Sequence, residues 1–451
     1  MIITLNTLLK GSQGQIHGFD QDMDIHGLVI DSRQVGPKTC YFPVLGENFD
    51  GHQFILGAFQ GGCPLAVCEK AYFYSHYQDL KDKALILVDD STKALQRLAK
   101  YILKLLGPRV IGITGSVGKT STKEFVYGVL SQVYRVHKNK GNLNNHIGMP
   151  LTIFDLEDDH QVAILEMGMN HMHEIDVLAD IARPEVAIIT NIGKSHIGNL
   201  GSQDNIFKAK LEITSYLEEG QALVVNGQDP YLSQVESEVF SVFKVGSKTL
   251  ELVDKRIRKD GCYSYDFTYE ANRYQVNLMV LGEHNIYNSL LAIQAGLLME
   301  VPMETIIKGL EGVRENKGRL DVHELKSNIE IISDCYNASQ DSIQSAVDVL
   351  MSRNKAHKIA IIGDVLELGD YSEATHRAIG QDLNREGLSV VVLGQESLYT
   401  YDELKGDKCH FLDKQALIDH VKSILSEDTS ILVKGSFGMG MIEIVEKLIE
   451  E

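Results

Sequence analysis

The sequence predicts an α/β protein of three domains. Three observations lead there: short apolar strands alternating with helical patterns, a glycine turn wedged between one such strand and a helix, and breaks in pattern near residues 107 and 318. A length of 451 residues suits about three domains rather than one core. The predicted units are 1–107, 108–317 and 318–451.

The first unit reads as a small α/β block. It ends in a helical pattern over 95–106, followed by the breaker Gly107-Pro108. The second holds apolar strands at 110–114, 162–165, 186–190 and 222–225, which together indicate a parallel sheet covered on both faces. Within it, 253–281 is polar and strand-like, with Tyr263, Tyr265, Phe267 and Tyr269 alternating, and reads as an antiparallel addition. A helix follows over 285–299. The third unit has strands at 329–332, 359–362, 390–393 and 431–433 with helical patterns between them. That is a second open α/β sheet, of the kind that places ligands at its strands' carboxyl ends.

The glycine turn is Gly115-Ser116-Val117-Gly118-Lys119-Thr120-Ser121. After it, Phe125, Val126, Val129, Leu130 and Val133 recur at helical spacing. A strand, a tight turn and a helix N-terminus make a phosphate cradle: backbone N–H groups and the helix dipole favour an anion, and Lys119 would reach the terminal phosphates. Thr120 offers a hydroxyl to Mg²⁺. Ile113 occupies the first glycine position of the longer phosphate-loop pattern, so the string is the shorter G-x-x-G-K-T form.

Composition narrows the partners. Apolar residues at 44% and charged residues at 23% are ordinary for a globular protein, and a net charge of −19 argues against a nucleic-acid partner. Anionic nucleotides remain compatible, because a local site can be positive on an acidic protein. Cys40, Cys63, Cys68, Cys262, Cys335 and Cys409 show no C-x-x-C spacing, so neither a zinc site nor a disulfide framework is expected. No basic leader and no run of membrane-spanning length is present, which points to the cytoplasm and no membrane insertion.

Residues after the strands sharpen the chemistry. Glu166 ends a strand where a carboxylate can hold Mg²⁺, though alone it reads equally as a solvated acid. His196 lies in Asn191-Ile192-Gly193-Lys194-Ser195-His196, and a lone loop histidine is usually structural. Lys210, in Phe207-Lys208-Ala209-Lys210-Leu211-Glu212, reads by itself as an exposed helical lysine. Asn144-Asn145-His146 reads as a turn.

In order, the phosphate loop, N-N-x-I-G-x-P-L-T, E-M-G, N-I-G-x-x-H, A-K-x-E-I and G-x-H-N-x-x-N resemble the Mur ligase family of ATP-dependent amide-bond ligases. Asp31-Ser32-Arg33 and Gly46-Glu47-Asn48-Phe49-Asp50-Gly51-His52 look like that family's uridine-nucleotide-binding domain. Lys317-Gly318-Arg319-Leu320, Asp334-Cys335-Tyr336-Asn337-Ala338, the L-E-L-G string at 366–369 and Val433-Lys434-Gly435-Ser436 look like its C-terminal domain. The Y-N-A and L-E-L-G strings favour the branch that adds a terminal dipeptide.

The resemblance implies a uridine-nucleotide-binding first domain, a phosphate-loop ATPase second domain and a Rossmann-like third. It implies that a substrate carboxylate takes the γ-phosphate of ATP to give an acyl phosphate, which an amine then displaces. The implied partners are UDP-N-acetylmuramoyl-tripeptide and D-alanyl-D-alanine, and the implied state is a monomer. Gly115 to Ser121 would hold the ATP phosphates, and Asn285 and Asn288 the adenine. Arg319 and Asp334 would reach phosphates and ribose, and Asn337 would lie near the acyl phosphate. Thr120 and Glu166 would hold one Mg²⁺. His196 and Lys210 would hold a second, with Lys210 carbamylated by CO₂ so that an anion replaces a cation. Ser32 and Arg33 would sit in the uridine-nucleotide domain.

The chain departs from the family pattern at several points. Asn170-His171-Met172-His173 replaces a glycine after E-M-G. Ser339-Gln340 stands for N-P, Ser333-Asp334-Cys335 for D-D-S, Phe437 for an arginine after K-G-S, and Gly61-Gly62-Cys63 where G-A is usual. Ser339, Gln340 and Phe437 surround the C-terminal site and therefore bear on the incoming amine. The alternatives are a Mur-type ligase joining a different amino acid, a folate-type polyglutamate ligase, which lacks the first unit, and a non-catalytic nucleotide-binding protein. Lys119, Glu166, His196 and Lys210 together argue against the last.

Overall fold

In the computed structural model of the chain, residues 3–19, 23–46, 49–314 and 318–450 are described. Glu47, Asn48 and Lys317, which belong to strings quoted above, and the junction expected at 317 lie outside the described residues.

Six parallel strands form the central sheet. Their order across it is Ser241–Val245, Ala222–Asn226, Val186–Ile189, Arg109–Thr114, Val162–Glu166 and Val136–Lys138. Arg109–Thr114 is interior, paired with Val162–Glu166 on one side and Val186–Ile189 on the other. Ile113 is in register with Glu166, and Thr114 with Ile189. The loops after these three strands therefore open at one edge of the sheet, where ligands bind in open α/β folds.

The residues at 253–281 form the antiparallel addition that the sequence suggests: Glu251–Ile257, Cys262–Tyr269 and Asn272–Leu281. Tyr265 and Phe267 are fully buried, and Tyr265 Oη meets Ser289 Oγ at 2.7 Å on the helix His284–Leu298. Strict alternation fails on this strand, because Ser264 and Asp266 are buried as well. Asp266 is matched there by Arg256 and Arg273.

The N-terminal five-stranded sheet runs Gln15–His17, Leu85–Val88, Leu65–Glu69, Thr39–Tyr41, Gly27–Val29, parallel except at its first strand. The helix Ser91–Leu106 closes the unit. Asp90 caps its start by accepting the Lys93 N–H at 2.8 Å, and Gly107 ends it with φ +68 ahead of Pro108. Leu95, Leu98 and Ile102 from this helix share one apolar cluster with Ile153, Leu165 and Ile181 of the central layer. Each such side chain contributes about 1.5–3 kcal/mol when buried, so the first two units are joined by core.

The C-terminal sheet has the order Asp321–Glu324, Glu330–Asp334, Thr429–Lys434, His357–Gly363, Leu388–Leu393, Lys408–Phe411 and is parallel except for its first strand. The helical run expected to reach Val133 stops earlier: the helix is Lys119–Leu130, and Val133 lies past its end, half exposed. Among the described residues no helix is long and apolar enough to cross a membrane, and no disulfide joins any of the six cysteines.

Candidate active site

A cavity of about 1070 Å³ opens at the carboxyl edge of the central sheet and is roofed by the C-terminal unit. The phosphate-loop string forms its floor. Gly115 and Gly118 adopt φ +152 and +83. A Cβ on Gly115 would lie 1.8 Å from Thr190 Oγ1, and one on Gly118 would lie 2.7 Å from Asn288 Oδ1, so both positions require glycine. The loop is braced from the next strand: Ser116 N and Val117 N donate to Asn191 O and Oδ1 at 3.1 and 3.0 Å. Gly118 starts the helix Lys119–Leu130 with no side-chain cap. The Lys119 ammonium is folded onto the loop, donating to Gly115 O at 2.7 Å and Ser116 O at 3.3 Å.

Glu166, only 3% exposed, is the electrostatic centre. Burial pushes its carboxyl upward, but Lys123 and Lys119, with a hydrogen bond from Asn144, outweigh that and hold it below the usual range. Its Oε2 accepts from Thr120 Oγ1 at 3.1 Å and lies 3.2 Å from Lys123 Nζ, while Oε1 accepts from Asn144 Nδ2 at 2.9 Å. Lys123 escaped the sequence reading. The usable signal was its spacing of four from Lys119, which puts both lysines on one helix face.

Lys210 is not the exposed lysine its local sequence suggests. It is 1% exposed on the helix Gln203–Leu211, and among the described residues it has no hydrogen-bond or ion-pair partner. Burial, aided by Lys119, pushes its amine well below the ordinary lysine range. His196 caps the short helix Ile197–Leu200 at φ +64, and its Nδ1 lies 3.1 Å from Glu367 Oε2. Burial, followed by the charges of Lys119 and Lys210, pushes its pKa down to about 3, so the ring is neutral.

From the C-terminal unit, Arg319 donates to Thr120 Oγ1 at 3.1 Å and stacks 4.1 Å over the Tyr336 ring. Asp334 pairs with buried Lys434 at 2.5 Å, and Lys434 also donates to Asn337 O at 2.9 Å. Asn285 and Asn288 are joined at 2.9 Å and line the same cavity, as does Asn337. Ser32 and Arg33 do not line it. They lie in the N-terminal unit, where exposed Arg33 pairs with Asp31 and holds that carboxyl down at about 2.

The departures also find places. Ser339 caps the helix Gln340–Ser352 in a reciprocal capping box with Ser342, and Gln340 donates to Asp382 Oδ2 at 2.9 Å. Phe437 is 73% exposed at the cavity, tilted toward Tyr336. Near Glu166, the His173 backbone N–H turns to Glu212 at 2.8 Å, and the Asn170 and His171 backbone N–H groups close on Glu174.

Three family models match: Mur ligase family, catalytic domain, over residues 24–102; Mur ligase middle domain over 113–296; and Mur ligase, glutamate ligase domain, over 318–437. The chain is 37% identical to the UDP-N-acetylmuramoyl-tripeptide–D-alanyl-D-alanine ligase of Bacillus subtilis (strain 168), covering 94% of this chain and 93% of that one. The chain belongs to the Mur ligase family. Among solved Mur ligases, a MurF crystal structure from Acinetobacter baumannii superposes with a TM-score of 0.93 at 29% identity, over 100% of this chain and 99% of that one. The MurF ligase of Thermotoga maritima, crystallised in complex with ADP, superposes at 0.85 with 25% identity, over 94% and 97%. The folate-type alternative recedes, because the unit it lacks is here a five-stranded sheet with four strands within the Mur ligase match over 24–102.

Proposed function

We infer that this Mur ligase joins D-alanyl-D-alanine to UDP-N-acetylmuramoyl-tripeptide at the expense of ATP, releasing ADP and phosphate, as a step in peptidoglycan precursor synthesis. The observation that carries the reading is the convergence of Lys119, Thr120, Glu166, His196 and Lys210 with Arg319 and Asp334 on one cavity between the central and C-terminal units. The full-length likeness to ligases of that name supports the choice of substrates.

On this reading the loop from Gly115 to Ser121 cradles the ATP phosphates, and the uncapped first turn of its helix supplies backbone donors. Lys119 leaves its loop carbonyls for the phosphates, with Arg319 on their other side. Asn285 and Asn288 face the adenine and Asp334 the ribose. The substrate carboxylate takes the γ-phosphoryl group, and Asn337 stands near the acyl phosphate that forms. The amine attacks its carbonyl carbon, and phosphate leaves. Phosphoryl transfer of this kind depends on positioning and charge neutralisation. Ser32 and Arg33 belong to the uridine-nucleotide end, in a domain over 1–107, with the ATPase domain over 108–317 and the Rossmann-like domain over 318–451. The reading carries a monomeric, cytoplasmic enzyme.

The residues present fit divalent cations. Thr120 Oγ1 and the charged Glu166 carboxylate stand 3.1 Å apart, an oxygen pair suited to Mg²⁺. When bound, Mg²⁺ neutralises charge on the transferring phosphoryl group. Neutral His196 fits a second cation as it stands, whereas Lys210 fits only after modification. Burial pushes the Lys210 amine below the ordinary lysine range, which favours the neutral form that adds to CO₂, losing one proton to become an anionic carbamate.

Mass spectrometry of the products tests the reaction. The chain is incubated with ATP, UDP-N-acetylmuramoyl-tripeptide and, separately, D-alanyl-D-alanine, D-alanine or L-amino acids. A D-alanyl-D-alanine adduct with ADP is expected. Turnover with another amine alone overturns the assignment and turns attention to Ser339, Gln340 and Phe437.

A further inference from the structure

Two strained residues from different units face one another across the cavity mouth. His196 and Glu367 hold φ +64 and +65, left-handed backbone that costs a non-glycine residue energy, and their side chains meet at 3.1 Å. Strain of this kind persists where the surroundings over-determine it, and it clusters at functional positions. Here the surroundings are a seam between backbones. A Cβ on Gly198 would fall 2.6 Å from Leu368 C and 2.7 Å from Glu367 O. Tyr371 Oη donates to Gly201 O at 2.6 Å. The short helix Ile197–Leu200 is therefore clamped against residues 367–371 of the C-terminal unit.

We propose that Glu367 is a positioning residue: its carboxylate accepts the His196 Nδ1 proton, fixes the ring as the Nδ1–H tautomer and leaves Nε2 as the nitrogen that binds the second cation. An ionised carboxylate can only accept, so the partner nitrogen must carry the hydrogen. In a neutral ring the other nitrogen is then the lone-pair donor. Metal-binding histidines generally donate their second N–H to a carboxylate or carbonyl, and loss of that partner weakens metal binding by about 10–100-fold. What distinguishes this chain is the origin of the carboxylate. It comes from the opposite unit, 171 residues away, so the ligand is oriented only while the C-terminal unit is seated. The inference rests on the reading of His196 as a cation ligand given under Proposed function.

The test reads the tautomer directly. The full chain is labelled with ¹⁵N in its histidine rings, and the His196 signals are assigned by their loss in His196→Gln. The wild type is expected to show a protonated Nδ1 and an unprotonated Nε2 at position 196. Glu367→Gln, whose amide can donate as well as accept, should shift the signals toward a mixture. Tyr371→Phe, which removes one hydrogen bond of the seam but leaves the Gly198 packing that seats Glu367, should leave them in place. In the ligase assay Glu367→Gln should raise the Mg²⁺ concentration for half-maximal rate by about tenfold. An Nε2–H tautomer in the wild type overturns the proposal. So do unmoved signals in Glu367→Gln, or an equal shift in Tyr371→Phe. Failure of the functional reading is seen separately, as a wild type that forms no product while its ring signals remain measurable.

Discussion

Arg319 reaches 199 residues back along the chain to donate to Thr120 Oγ1 at 3.1 Å, and the same hydroxyl donates to Glu166 at 3.1 Å. One hydroxyl thus joins the C-terminal unit, the helix behind the phosphate loop and the next strand of the central sheet. A guanidinium held on the loop in this way is placed to meet phosphate charge as the units close around nucleotide. Arg319→Ala should lower kcat by about a hundredfold or more, the scale seen when one donor to a developing anion is lost. Arg319→Lys should recover little, because a point charge cannot reproduce the planar fork or the stacking on Tyr336. Steady-state rates of ADP release decide it, and an alanine variant within a factor of about three of wild type contradicts it.

Lys119 and Lys210 both line the cavity, yet their removal should differ. Lys119→Ala removes the cation that donates to the loop carbonyls Gly115 and Ser116, and turnover should fall by about a thousandfold with no rescue. Lys210→Ala should be impaired but partly restored by formate or acetate, since a small carboxylate can occupy the space of the lost side chain and replace a carbamate's charge. Full activity of unrescued Lys210→Ala contradicts the carbamate role.

Glu330 and Arg353 form a two-point ion pair at 2.8 and 2.7 Å, with the carboxylate only 2% exposed. Ser430 donates to the same carboxylate at 2.8 Å, and Arg353 also donates to Asp260 O at 3.0 Å, tying the C-terminal sheet to the antiparallel addition. Arg353→Ala should cost about 3–5 kcal/mol by stranding a buried carboxylate. The double variant with Glu330→Ala should cost less than the single one. Denaturant unfolding measures both, and equal losses contradict the stranded-charge argument.

The central layer was legible because the physics that buries its strands is local to the sequence. Residues 110–113, 162–165 and 186–189 are apolar throughout, as strands covered on both faces must be, and the glycine turn follows directly after Thr114. The edge strands Val136–Lys138, Asp321–Glu324 and Lys408–Phe411 carry no such signal, since one side of each meets solvent. Lys210 was misread by its neighbours alone. Its burial arises in tertiary packing, where the helix Gln203–Leu211 meets the helices Ile197–Leu200 and Glu174–Ala182, which no helical periodicity reports. Glu367 was legible as part of a string but not as a partner of His196, because that pairing exists only after two units fold and dock.

Acid should weaken the fold through histidines kept neutral inside it. His137 is buried, with Nε2 2.8 Å from Thr152 O, and burial lowers its pKa below the ordinary 6.5; burial does the same to His284. The unfolded chain binds protons at these rings before the folded chain does. Their contribution is therefore fully present above about pH 6.5 and is lost as pH falls toward the folded values. Each ring removes up to about 1.4 kcal/mol per pH unit within that window. His137→Gln keeps a donor for Thr152 O and removes the titration, so its Tm should fall less steeply than that of wild type between about pH 6.5 and 5. Parallel Tm curves for the two proteins would show that His137 titrates alike in the folded and unfolded chain, and that burial does not govern its protonation.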